Sequence, residues 1–165
     1  MPATPDAQTL QGGVDVIPAA EAVVAATGAD IRIFGDMAFY SPAHDFIQIP
    51  PQQAYFEPVN WYRTKLHELG HWTGHASRLN RDFSGRWGGE AYAREELVAE
   101  LCSAFLCAEL GVSPTVRHAD YLGAWLDILK GDNRAIFQAA SMASKAADFI
   151  MGRRLPHTED LARGN

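Results

Sequence analysis

Leu66-His67-Glu68-Leu69-Gly70-His71-Trp72 places two histidines four residues apart, with a glutamate directly after the first. On an α-helix, positions i and i+4 share one face, one turn apart. Two imidazoles so placed can close on one small ion from the same side. Glu68 sits about 100° round the helix from His67, so it misses that ion and still reaches a water beside it. The flanks do not suit a solvated helix, because Trp61, Tyr62, Leu66, Leu69 and Trp72 make the segment mostly apolar. Two histidines and a glutamate on a buried helix are costly without a partner. That cost separates a metal site from a chance pattern of three residues. Gly70 is a poor helix former, but it leaves room for a neighbouring element to pack closely.

The spacing is H-E-x-x-H, in which two histidines hold Zn²⁺ and the glutamate acts as general base of a metalloprotease. A catalytic zinc takes three protein ligands and keeps one position for water. The following predicted helix carries Glu95-Glu96-Leu97-Val98-Ala99-Glu100. Glu96 and Glu100 are four apart, and their neighbours Leu97, Leu101 and Ala104 are apolar. Two carboxylates on one mostly buried face need a cation. Glu96 is therefore expected to be the third ligand. Glu100 is expected to accept the far ring N–H of a ligand histidine, which fixes its tautomer. Glu95 competes for the ligand role. In the plainer alternative, Glu95 and Glu96 are helix-surface charges paired with Arg94 or Arg86. His75 lies about 12 Å from His67 in a continuous helix, too far to share an ion with bonds of about 2.1 Å. It is read as structural or as a neighbour of the site, and His44, His118 and His157 as exposed. Tyr92, Tyr121, Arg81 and Tyr40 are candidate electrophilic helpers. For each tyrosine the favoured reading is a core residue with its hydroxyl at the edge.

The 165 residues, 47% of them apolar, suit one domain with a sizeable core. A net charge of −6 argues against a general nucleic-acid binder. Arg78, Arg81 and Arg86 form a local exception, read as a solvated or carboxylate-paired patch. No apolar run reaches the ~18 residues of a membrane span, and no leader opens the chain, so a cytoplasmic location without a membrane partner is expected. Cys102 and Cys107 diverge by about 140° on a helix and sit among Leu101, Phe105 and Leu106, as buried reduced thiols. Nothing in the pattern specifies an oligomeric state.

Residues 1–17 read as a tail or linker, and residues 18–165 as the domain. Pro18 to Ala26 predicts a helix stopped by Gly28. Strands are predicted at Asp30 to Phe34, Met37 to Tyr40 and Asp45 to Ile49, forming a small antiparallel sheet. Asn60 is expected to cap the motif helix, running from Trp61 to His75. Further helices are predicted from Glu90 to Leu110, from Ser113-Pro114 to Lys130, and from Asp132 to near Gly152. The fold class is thus α+β, a small sheet packed on a mainly helical body.

Tyr62-x-Thr64-x-Leu66-His67-Glu68-Leu69-Gly70-His71-Trp72-Thr73-Gly74-His75, Arg78-Leu79-Asn80-Arg81 and Tyr92-Ala93-x-Glu95-Glu96-Leu97-Val98-Ala99-Glu100 resemble the zincin-like metallopeptidase domain of ArdC-type antirestriction proteins. That domain also occurs in TraC-like primase proteins and phage polyvalent proteins. The similarity extends through Asp45-x-Ile47-x-Ile49-Pro50 and covers roughly residues 18–152. It implies a zinc-binding fold in which an edge strand, matched by Asp45 to Ile49, lies over the active-site helix and accepts a protein or peptide substrate. It also implies a role in protecting plasmid or phage DNA from restriction. DNA contact in such proteins comes from an N-terminal single-stranded-DNA-binding domain, which this sequence does not show. The rival reading is a non-enzymatic zinc-containing module that engages a restriction or DNA-processing partner. A metal-dependent nuclease fits less well, because the site is histidine-rich rather than aspartate-rich.

Overall fold

Proline opens the first helix and glycine closes it. The computed structural model describes residues 15–84, 89–113, 126–127 and 130–152. Helix α1 spans Pro18–Thr27, and Gly28 caps its end at a φ of 69°, a left-handed conformation that glycine adopts without strain. Three short strands follow: β1 at Asp30–Ile33, β2 at Phe39–Ser41 and β3 at Phe46–Ile49.

The strand order is β1-β3-β2. β3 pairs antiparallel with β2, with Tyr40 opposite Ile47, and parallel with β1, with Ile31 opposite Ile47. The sheet is therefore mixed where an antiparallel one was expected, and β3 is its central strand rather than an edge. Alternation along β3 puts Ile47 and Ile49 on one fully buried face. Only a strand paired on both sides can seat both isoleucines at the middle of the sheet.

Helix α2 spans Pro58–Trp72, with Glu57 at the N-cap. It begins and ends three residues before its predicted limits. Pro58 supplies the preset φ of a first helical residue. Asn60 lies inside the first turn, where its Oδ1 accepts from Arg63 Nη1 at 2.7 Å instead of capping. Helix α3 spans Glu90–Leu110 and stops at Gly111, φ 70°. Helix α4 spans Ala135–Ile150. Asp132, expected as its cap, accepts from the Arg134 backbone N–H one turn earlier. Most of the helix predicted from Ser113-Pro114 to Lys130 falls outside the described residues. No helix among the described residues is long and apolar enough to cross a membrane.

α2 lies between the sheet and α3, and α3 between α2 and α4. Leu66, Leu69, Val98, Cys102, Leu106, Ala143 and Ala147 form the shared core. Cys102 and Cys107 are both buried and free, and burial pushes the Cys102 thiol up to about 12. Gly70 sets the approach of α2 to α3. A Cβ there would lie 3.1 Å from Ala99 Cα and 3.3 Å from Ala99 O. Backbone cannot step aside, so Gly70→Ala is expected to destabilise by about 1–3 kcal/mol through overpacking, although alanine is the better helix former. Denaturant melts decide the sign, and a raised midpoint would mean that the two helices can separate.

Beyond Trp72 the chain folds back on itself. Leu79 N–H donates to Thr73 O, Asn80 N–H to His75 O, and Arg81 N–H to Gly74 O, with Asn80 at a φ of 51°. Arg78 closes the junction between this turn and the sheet. It pairs with the Asp45 carboxylate, donates to Trp72 O, and stacks 3.9 Å from the Trp72 ring centroid. Arg78 hydrogen-bonding holds the Asp45 carboxyl below its ordinary range. The pair therefore stabilises the fold above the ordinary carboxylate pKa of about 4, and the contribution disappears as pH falls through the lowered value. Asp45→Asn should melt below wild type near pH 7, with the gap closing in acid. A gap independent of pH would remove the ion pair as its cause.

Candidate metal centre

His67 and His71 project from one side of α2 towards α3, one turn apart as their spacing requires. Nε2 of His67 lies 3.3 Å from one Glu96 oxygen, and Nε2 of His71 lies 3.0 Å from the other. One donor atom from each of the three residues falls within 4.8 Å of the others. In a tetrahedral site with bonds of about 2.0–2.1 Å, neighbouring donors sit about 3.3 Å apart. The imidazole and carboxylate donors are thus close to the spacing that one small divalent ion needs. Their chemistry suits such an ion as well.

The far ring nitrogens are also held. His67 Nδ1 lies 3.1 Å from Glu100 Oε2, and His71 Nδ1 lies 3.1 Å from Glu95 Oε1. Each carboxylate accepts an Nδ1–H, so the protonated imidazole points Nε2–H at Glu96, and loss of that proton frees the Nε2 lone pair. Burial works to lower both histidine pKa values. The surrounding carboxylates outweigh it, raising His67 to about 9 through Glu100 and Glu96, and His71 to about 10 through Glu95 and Glu96. Burial would raise the Glu96 carboxyl, but hydrogen bonds from the two imidazoles bring it well below its usual range. A metal ion entering here displaces protons from Nε2 and takes over the role of neutralising Glu96.

Glu68 is 7% exposed. Its negative charge contributes to raising both imidazoles, so the carboxylate lies beside the cluster without joining it. That is the placement its 100° offset on the helix predicts. Glu100 takes the position expected of it. Glu96, rather than Glu95, faces both Nε2 atoms, as its phase on α3 requires.

Glu95 is the residue whose place sequence reasoning missed. Two ligand histidines need two outer acceptors, and Glu100 reaches only His67. α2 and α3 run in opposite directions, so His71 meets the earlier end of the acidic run. That count of acceptors was the available signal. The role expected of Arg81 changes too. Its guanidinium donates from Nε to Glu95 Oε2 at 2.9 Å and from Nη2 to Glu95 Oε1 at 2.8 Å. It also reaches Thr73 Oγ1 at 2.9 Å and Gly70 O at 2.6 Å. Arg81 therefore stands behind Glu95, the carboxylate it shares with His71, and outside the three residues whose donor atoms converge. Burial would raise the Glu95 carboxyl, yet Arg81 and His71 together bring it down.

Tyr40 is likewise a brace, its hydroxyl donating to Asp45 Oδ1 at 2.8 Å. Tyr92 is half-buried near the start of α3, and Tyr121 falls outside the described residues. His75 stands apart from the three-residue cluster, its Nδ1 2.7 Å from Ser77 Oγ. The arginine patch is carboxylate-paired at Arg78 and Arg81, while Arg86, His118 and His157 fall outside the described residues.

A helix carrying H-E-x-x-H, opposed by a glutamate on a second helix and overlaid by a small sheet, defines a zincin-type metal centre. The chain belongs to the zincin-like metallopeptidase family, whose profile matches residues 18–142. It is 40% identical over 166 residues to the uncharacterized protein y4eC of Sinorhizobium fredii, covering 99% of this chain and 52% of that protein. It is 47% identical over 134 residues to the DNA primase TraC of Escherichia coli, covering 80% of this chain and 13% of the primase. The Mn(II)-bound crystal structure of the antirestriction ArdC protein from plasmid R388 superposes with a TM-score of 0.74 at 40% identity, over 99% of this chain and 59% of that one. Its metal-free form gives 0.74 at 42% identity, over 90% and 56%. The chain thus spans little more than half of ArdC and y4eC, and a small part of the primase.

Proposed function

We propose that this chain is a metal-dependent peptidase domain, with His67, His71 and Glu96 as ligands and Glu68 as the general base. The observation that carries this reading is the convergence of two imidazole Nε2 atoms on the two oxygens of Glu96, beside a buried glutamate that belongs to the same motif. Two imidazoles and one carboxylate favour zinc over metals that prefer all-oxygen sites. The ArdC protein of plasmid R388 is solved with Mn(II), so manganese belongs among the ions tested.

When bound, the ion lowers the pKa of a water to about 7 in favourable sites and polarises a carbonyl oxygen. The chain's own residues supply the rest. Glu100 and Glu95 keep the two imidazoles in the tautomer that presents Nε2. Glu68 takes a proton from the water as it attacks the scissile carbonyl carbon, then delivers that proton to the departing amine nitrogen. β2, at an edge of the described sheet and packed near α2, offers its free side to an extended peptide. By similarity to the ArdC antirestriction protein, the substrate is a protein or peptide connected with protecting plasmid or phage DNA from restriction.

The test is digestion of a peptide library by the zinc-loaded and manganese-loaded protein, read by mass spectrometry against the Glu68→Gln variant. New termini produced by wild type and not by the variant support the reading. A fully metallated wild type that yields no more termini than the variant overturns it in favour of a metal-containing binding module.

A further inference from the structure

Arg81 is not among the three residues whose donor atoms converge, yet its side chain is 8% exposed, more buried than any of theirs at 10–13%. Its fork engages both oxygens of Glu95, a bidentate geometry that fixes a carboxylate in orientation as well as in position. Of those oxygens, Oε1 also faces His71 Nδ1 at 3.1 Å. The remaining donors of Arg81 reach Gly70 O and Thr73 Oγ1. Gly70 precedes His71 and Thr73 follows it by two. The guanidinium is therefore anchored to the backbone turn that carries His71 and to the carboxylate that orients its ring.

We propose that Arg81 is a positioning residue for the metal centre, fixing the His71 imidazole through Glu95. This rests on the assignment of His71 as a ligand. A carboxylate next to a ligand histidine fails to orient it when it rotates so that neither oxygen meets Nδ1–H. A bidentate arginine blocks that rotation, because each Glu95 oxygen is already held by a separate N–H of the fork. Lysine in the same place keeps the charge but offers a single point donor, which cannot hold both oxygens. The Arg78-Leu79-Asn80-Arg81 turn serves this end by bringing the guanidinium back across the end of α2.

Arg81 also braces the fold, so the test separates the two roles. Thr73→Val removes the hydroxyl that meets Nη1 and leaves the Glu95 pair in place. Arg81→Lys breaks the fork. The readouts are zinc affinity by chelator competition, the visible absorption of the Co²⁺-substituted protein, and melting of the metal-free forms. Loss of a group that orients a ligand histidine typically weakens metal binding by about 10–100-fold. That loss, with altered Co²⁺ bands, is expected for Arg81→Lys. Thr73→Val should melt lower while keeping wild-type affinity and bands.

If Arg81→Lys does not fold, Glu95→Gln carries the same expectation, because a neutral amide neither pairs with Arg81 nor holds the imidazole as a carboxylate does. Wild-type affinity and bands in the folded variant, Arg81→Lys or its substitute, reduce Arg81 to a brace and overturn the proposal. A wild type that binds no zinc, or a His71→Ala variant that binds it fully, fails the ligand assignment instead.

Discussion

Glu68→Gln is expected to retain one metal ion per chain and to lose the proposed peptide hydrolysis, with a fall of at least about 100-fold, the lower end of what general-base catalysis contributes. The substitution keeps the volume and the apolar contacts of the side chain on α2. It removes only the ability to take up and release a proton. Glu68 is not among the three residues whose donor atoms converge, so the metal content should not change. Steady-state cleavage together with metal analysis reads both halves of this expectation. Equal cleavage by variant and wild type would take the general-base role from Glu68. Loss of metal in the variant would make Glu68 a ligand.

Glu96→Ala is expected to abolish tight metal binding. Among the described residues, Glu96 is the carboxylate that faces both Nε2 atoms, at 3.3 and 3.0 Å, and without it two imidazoles remain to hold a divalent ion. The loss should be visible in the melting temperature as well. A ligand present at 100 times its dissociation constant stabilises the folded state by about 2.7 kcal/mol. Wild type should gain such a shift on adding zinc, and Glu96→Ala should gain almost none. Glu95→Gln is the informative neighbour: it should weaken binding without eliminating it, because Glu95 touches the imidazole and not the position that Nε2 faces. A full zinc complement in Glu96→Ala alongside an empty Glu95→Gln would exchange the two roles.

The contrast between these adjacent glutamates shows where sequence reading stops. Both sit on the buried face of α3, 100° apart, and helix phase alone favours Glu96 only as a matter of angle. The distinction is completed by Arg81, which arrives from a turn closed by long-range backbone bonds and claims both oxygens of Glu95. Helix α3 is hard to orient from apolar periodicity for the same reason. Its buried face mixes Glu95 and Glu96 with Leu97 and Val98.

The ends of α1 and α3 were legible because Pro18, Gly28 and Gly111 act through their own backbone preferences. The H-E-x-x-H site was legible because its geometry is set within one helical turn. Glu100 was found by the same local rule. The sheet was legible only as three strands. Which strand lies in the middle depends on the path of the chain between them, and β3 slots between β1 and β2 through pairings that no local pattern encodes. By itself, then, the sequence determined the described helices in outline, the two histidines with the glutamate beside them, and the carboxylates able to join them, since each follows from spacing along one element. The tertiary structure alone decided the mixed sheet, the pairing of Glu95 with His71, and the place of Arg81 behind them. These depend on how closely and in which direction α2 and α3 cross, a distance set where Gly70 lets the two backbones meet.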